Sequence, residues 1–385
     1  MKLLFDFISI QGFINGGAEH AKRIFNEITN HYPNIEILGL YNSKINFLAD
    51  DFNKYSSQIS SWVDINKISS LGEYINNNNI NVFYIGIFQR YLHENLDNIN
   101  CKTVVFIHDV SDLELYNNKL NYISLSKATS FKSLCKNIAK FILYQLGMRN
   151  SYFYNCYSLY AQHSNFLNKD NVIIACASFF TKDSIKFNMP FLNQKEINVR
   201  YSPLKLSPHP SENLIIKELV QKNIPYFLML STDRWTKNSD FAFDVIKAFC
   251  EQHKEYRLIT TGSKMQKFAN HIPLPFIDST ELEYAFKHAK ALIYPSIVEG
   301  FGYPIIEAMK YGVPVICSNT TSIPEIAGNA GIYFNPFYRS DMYSALNKFI
   351  NNNWSTMHDL SLNQYQKISY KQSMDLSLLI QDIVE

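Results

Sequence analysis

The chain has 385 residues, more than one ordinary hydrophobic core organises, so two domains of ~150–200 residues are expected. Hydrophobic residues make up 46% and charged residues 18%, which describes a globular chain and excludes a disordered one. A net charge of +2 carries no electrostatic footprint for nucleic acid, and no nucleic-acid partner is expected. The chain opens on an apolar run, Leu3 to Ile10, which reads as a first buried strand. Met1-Lys2-Leu3-Leu4-Phe5 runs straight into Asp6 with no small-residue cleavage site, so no signal peptide is expected. No stretch reaches the ~18 apolar residues of a membrane span.

Gly12 to His20 follows, then a helical pattern through Ile28. The dinucleotide fingerprint G-x-G-x-x-G is absent, which speaks against a nicotinamide-dependent oxidoreductase. The pair Gly16-Gly17 by itself suits a tight turn as well as a ligand loop. Short strands are predicted at Ile35–Leu40, Val82–Ile87 and Thr103–Ile107, separated by helix-length polar segments. That alternation predicts a parallel sheet with right-handed crossovers. Thr103–Ile107 ends in His108-Asp109, and ligands of such sheets bind at strand C-termini. Phe131 to Gly147 reads as an amphipathic helix with Lys132, Lys136 and Lys140 on one stripe. That stripe suits either a solvated face or an anionic membrane leaflet, so peripheral membrane contact is one expectation. Val172–Ala177 is the next strand, with a helix from Lys182, and Ile197–Tyr201 leads into the proline-rich run Ser202 to Pro210, an interdomain linker.

The pattern restarts at Tyr226–Leu230. The loop Ser231 to Asn238 brings Arg234 and Lys237 just past a strand end, where a planar fork and a point charge suit a diphosphate. A helix to Phe249 follows, then a strand at Arg257–Thr261, the loop Pro275-Phe276-Ile277-Asp278 and a helix from about Thr280. Ala291–Tyr294 is a buried strand, and Glu299-Gly300-Phe301-Gly302 is a loop whose glycines let backbone amides approach a ligand. Pro304 is read as the first residue of a helix, Ile305 to Tyr311, stopped by Gly312-Val313-Pro314. Val315–Cys317 completes a βαβ unit suited to a phosphate at the helix N-terminus. Glu307 sits one turn into that helix among Ile305, Ile306, Ala308 and Met309; alone it reads equally as a complement to the helix dipole. Gly331–Phe334 is the last strand, a helix starts at Ser340-Asp341, and Leu360 to the end is a terminal helix. The six cysteines are scattered with no close pair, which excludes a C-x-x-C site and suits a reducing compartment.

The run from Pro295 to Gly328, PS-x-x-EGFG-x-P-x-x-EAM-x-x-G-x-PV followed by Ser318-Asn319 and Ser322 to Gly328, resembles the signature of retaining glycosyltransferases of family 4, the group 1 class. The likeness extends over residues 226–350 and, in patches, over 1–200. It implies an α/β chain of the GT-B type, two Rossmann-like domains with a donor cleft between them. The expected divisions are an acceptor-side domain at 1–203, a nucleotide-sugar domain at 204–358, and a terminal helix, 359–385, crossing back.

What the resemblance implies for function is hexose transfer, of mannose, rhamnose or similar, from a nucleoside-diphosphate sugar to a saccharide or lipid-linked acceptor, as in surface polysaccharide or lipopolysaccharide synthesis. Configuration would be retained, without a cofactor or metal, in the cytoplasm or at the inner face of the cell membrane. Glu299, His108, Lys237 and Arg234 would be catalytic. Gly16, Gly17, Ser231, Asn238, Phe276, Gly300, Phe301, Gly302, Pro304, Ile305 and Glu307 would join them in holding the donor, with Asp109 on the acceptor side. Thr236 stands where the family has arginine before Lys237-Asn238, and Arg234 would substitute from two residues upstream. Intact Glu299, Glu307, Lys237 and His108 weigh against the alternative, a non-catalytic GT-B sugar-binding or partner subunit.

Overall fold

The structure is a computed structural model that describes residues 1–12, 16–47, 51–115, 135, 138–139, 142, 146, 149–205, 209–262 and 265–385. Most of the helix expected over Phe131–Gly147, including Lys132, Lys136 and Lys140, lies outside the described residues. Two compact units divide the chain, one of Met1–Lys205 with Lys371–Glu385, the other of Leu206–Tyr370.

In the first unit seven strands form one parallel sheet: β1 (Lys2–Asp6), β2 (Glu36–Tyr41), β3 (Ser61–Asp64), β4 (Val82–Ile85), β5 (Lys102–Ile107), β6 (Val172–Cys176) and β7 (Ile197–Val199). Their order, β3-β2-β1-β4-β5-β6-β7, reverses direction at β1, so this is a doubly wound sheet with its switch between β1 and β4. The strands were legible as apolar runs because helices cover both faces: Leu3, Leu4, Phe5 and Val104 to Ile107 are all fully buried. The run Leu3 to Ile10 is not one strand. It leaves the sheet after Asp6, because Ile10 and Gln11 turn their amides back onto the Phe7 carbonyl at 2.9 and 3.1 Å. Apolar content persists through Ile10 since Phe7 packs edge-on against Phe5 and Phe25, with ring centroids 5.4 and 5.0 Å apart. The helix expected from Lys182 begins earlier, at Phe179, where Ser178 caps it by accepting the Thr181 amide at 3.1 Å.

The second unit carries six parallel strands: β8 (Tyr226–Met229), β9 (Arg257–Thr261), β10 (His271–Leu274), β11 (Ala291–Tyr294), β12 (Val315–Ser318) and β13 (Gly331–Phe334). Their order is β10-β9-β8-β11-β12-β13, again with a switch, here between β8 and β11. The helix Ser279–His288 opens on a capping box made by Asp278 and Glu281. Two strands went unread in the sequence, Ser61–Asp64 and His271–Leu274, and both lie at sheet edges. An edge strand needs little apolar sequence and tolerates Pro273.

The last helix, Trp354–Val384, has its residues from Lys371 onward in the first unit. There Asp375 accepts the Tyr201 amide at 2.8 Å and Asp382 pairs with Arg200 at 3.0 Å. No described helix is long and apolar enough to cross a membrane.

Candidate functional site

Parallel strands bring all their C-terminal loops to one edge of a sheet, and the second unit builds its candidate site there. β11 ends at Tyr294 and the glycine loop runs to Gly302, whose φ of +100° only glycine takes easily. Gly302 is therefore the helix N-cap, and the helix is Tyr303–Met309. Pro304 is its second residue and not its first, still within the turn whose amides have no partner inside the helix. Ile305 is fully buried and spends its amide on the Gly302 carbonyl at 3.1 Å. Phe301 is buried, Gly300 half-buried, and Glu307 half-buried on a helix otherwise mostly turned inward.

The loop after β8 supplies the cation. Ser231 and Asn238 both hold left-handed backbone, at φ +53°, and between them Trp235–Lys237 makes one tight turn. Asn238 ties this turn down by donating from Nδ2 to the Pro336 carbonyl at 2.9 Å. Lys237, only 4% exposed, donates to Glu299 Oε1 at 2.5 Å and to the Tyr294 hydroxyl at 3.0 Å. Burial pushes the Glu299 carboxyl up, but the Lys237 ammonium and its hydrogen bond overcome that and hold the carboxyl below its ordinary range. Burial, with the neighbouring Glu299 charge, raises Tyr294 well above the usual phenol. Glu299 and Lys237, read from the sequence as two separate contacts, are thus one ion pair beside the glycine loop. Arg234 is exposed at the start of the tight turn, and Phe276 is 70% exposed in the loop before the helix Ser279–His288.

In the first unit Gly16 and Gly17, both half-buried, open the helix Gly16–His31. His108 follows β5 and donates from Nε2 to the Gly86 carbonyl at 3.0 Å. A carbonyl only accepts, so Nε2 carries the hydrogen and Nδ1 the lone pair. Burial lowers His108 to about 4, with the Asp109 charge and the Gly86 bond opposing. Asp109 Oδ1 accepts the Ser111 amide at 3.0 Å. Sequence reasoning missed Asp6, fully buried at the end of β1, which accepts from the Ser9 amide at 3.1 Å, the Gly86 amide at 3.0 Å and the Tyr91 hydroxyl at 2.6 Å. Gly86 is therefore held by Asp6 through its amide and by His108 through its carbonyl. The available signal was a lone acid inside an apolar run, Leu3 to Ile10.

His20 (well below its usual value), His108 and His271 (both about 4) are all kept neutral, burial being the largest cause in each. A histidine whose folded pKa is lowered contributes fully above its unfolded value, near 6.5, and loses that contribution as pH falls toward 4. The urea midpoint at pH 5 is expected to lie clearly below that at pH 7.5; an equal or higher midpoint at pH 5 contradicts the burial of these rings as neutral groups.

Residues 211–367, nearly all of the second unit, match the family model described as Glycosyl transferases group 1. O-antigen chain mannosyltransferase B of Escherichia coli is 49% identical over 63 residues, 16% of each chain. O-antigen chain mannosyltransferase RfbU of Salmonella typhimurium is 41% identical over 70 residues, 18% of this chain and 20% of that one. The chain thus spans well under two thirds of the curated relatives it matches. Among solved structures, Anabaena HepE, crystallised with UDP and glucose, superposes with a TM-score of 0.63 at 14% identity, covering 99% of this chain and 98% of that one. WaaG, a glycosyltransferase involved in lipopolysaccharide biosynthesis, gives 0.58 at 13% identity over the full length of both chains. These likenesses show the fold: two Rossmann-like domains of the GT-B type.

Proposed function

We propose that the protein is a glycosyltransferase that moves a hexose, mannose or a similar sugar, from a nucleoside-diphosphate donor to a saccharide acceptor in surface-polysaccharide or lipopolysaccharide synthesis. The observation that carries this is the Lys237–Glu299 pair, buried at its lysine end and part-buried at its carboxylate, beside the glycine loop and inside the segment that matches the group 1 family. Glu307 would take the donor ribose hydroxyls and Glu299 the transferred sugar, with Gly300–Gly302 lending backbone amides. Lys237 and Arg234 would stabilise the diphosphate as its charge grows. Ser231, Asn238, Pro304 and Ile305 would shape the donor pocket and Phe276 would lie against the base; Gly16, Gly17 and His108 are proposed as further donor-binding residues and Asp109 as an acceptor-side residue.

In the reaction the acceptor hydroxyl oxygen bonds to the anomeric carbon as the bond from that carbon to the phosphate oxygen breaks. The nucleoside diphosphate leaves with the electron pair and takes the acceptor's proton, on the same face, so configuration is retained. Side-chain cations do the work of a metal in this scheme. Purified protein should gain melting temperature with one nucleoside diphosphate and its hexose among uridine, guanosine and thymidine forms, and turnover should persist in excess EDTA. Loss of turnover on chelation, restored by magnesium or manganese, overturns the metal-independent reading.

A lipid-linked acceptor would place the protein at the inner face of the cell membrane, and the region around residues 135–149 is proposed to rest there. Ile138, Ile142 and Leu146, four residues apart, are 41%, 50% and 68% exposed. No Asp or Glu occurs between Glu114 and Asp170, while Lys119, Lys127, Lys132, Lys136, Lys140, Arg149 and Lys169 do. Basic residues near an anionic leaflet contribute ~1 kcal/mol each. Flotation with anionic vesicles at low salt should recover wild type and lose a variant with Lys132, Lys136 and Lys140 all changed to Glu; equal recovery of both contradicts the proposal.

A further inference from the structure

The hydroxyl-rich run Ser318-Asn319-Thr320-Thr321-Ser322 leaves β12 beside the loop that leaves β11, because Tyr294 and Cys317 are register partners. Four of its hydroxyls bind that neighbouring loop's backbone. Those of Ser318 and Thr320 donate to the Ser296 carbonyl, the latter at 3.3 Å. Ser322 donates to the carbonyls of Glu299 and Phe301 at 2.9 and 3.2 Å. Thr321 does the opposite: its Oγ1 accepts the Glu299 amide at 3.1 Å.

Thr321 also holds φ at +53°. For a β-branched side chain that is a true outlier, and glycine would take the same backbone without steric cost. Strain of this kind persists only where the surroundings over-determine it, and it gathers at ligand-handling sites. Here the strained backbone aims a hydroxyl at the residue whose carboxylate meets Lys237.

We infer that Thr321 is a positioning residue for Glu299, fixing the backbone end of a side chain whose carboxylate end is fixed by Lys237. The inference rests on the reading of Glu299 as the group that holds the transferred sugar. A carboxylate tied at both ends has little freedom left to lose when a sugar hydroxyl arrives, so its orientation is already that of the reacting complex. Ser322 shares the work but is fully buried, and changing it would disturb the core. Thr321 is half-buried and can be changed alone.

Three variants and two readouts test this. Thr321→Val keeps the shape and the strained backbone and removes the acceptor, Thr321→Gly removes both strain and acceptor, and Thr321→Ser keeps the acceptor. The Val and Gly variants should lose about tenfold in kcat, the scale of one net hydrogen bond, with a smaller change in donor KM. Thr321→Ser should stay within about threefold of wild type, and the Gly variant should keep its melting temperature. Amide hydrogen exchange in the 297–301 peptide, which needs no turnover, should speed up in the Val variant and not in the Ser variant. Unchanged exchange, or wild-type kcat in the Val and Gly variants, overturns the role of Thr321. Faster exchange with no turnover by wild type on any donor leaves the tether standing and overturns the reading of Glu299.

Discussion

Replacing Lys237 by alanine is expected to lower turnover by about 10²–10³, the usual effect of removing one preorganised donor from a developing negative charge. It is also expected to lower the melting temperature, because the change leaves the Glu299 carboxylate part-buried with its cation gone. Breaking a buried pair from one side costs about 3–5 kcal/mol, more than the pair itself contributes. Arg234→Ala should be far milder in stability, since Arg234 is exposed and a surface change of that kind stays within roughly ±0.5 kcal/mol. Its effect on turnover should be smaller than that of Lys237→Ala. The double variant Lys237→Met with Glu299→Gln separates the two effects: removing both charges together should recover much of the stability and none of the turnover. If Arg234→Ala abolishes turnover while Lys237→Ala spares it, the phosphate site has been assigned to the wrong cation.

Glu307→Ala is expected to weaken nucleotide-sugar binding by ~1.5–3 kcal/mol, roughly 10- to 150-fold in Kd, the range for a hydrogen bond to a charged group. Most turnover should go with it. Glu307 is half-buried on a seven-residue helix whose Ile305, Ile306, Ala308 and Met309 are buried, so its placement is rigid. Calorimetry with the donor and with the free nucleoside diphosphate should show similar losses, because the proposed partner is the ribose common to both. A loss confined to the intact sugar nucleotide would move Glu307 from the ribose to the hexose.

The strands that carry the site were legible because a parallel sheet is covered on both faces and its strands must read as apolar runs. Their loops were legible through Gly302 and Gly312, both at positive φ, and through Pro304. What could not be read was pairing at a distance. Lys237 and Glu299 lie 62 positions apart, and nothing in either local sequence says that one neutralises the other. Thr321 went unread for the opposite reason: a threonine gives no hint of a left-handed backbone, where glycine would have announced it. Asp6 was hidden by the apolar residues on both sides of it, which suggested one long strand where the chain turns.

The most direct measurement follows the sugar itself. Wild-type protein and the Lys237→Met/Glu299→Gln variant, in excess EDTA, are incubated with an α-linked nucleoside-diphosphate hexose and a saccharide acceptor, and the product is analysed by mass spectrometry and NMR. An acceptor heavier by one hexose, carrying an α-linkage, is expected with wild type only. A β-linked product contradicts the retaining reaction, and no transfer from any donor, or equal transfer by the double variant, contradicts the assignment of this site as the place where the sugar moves.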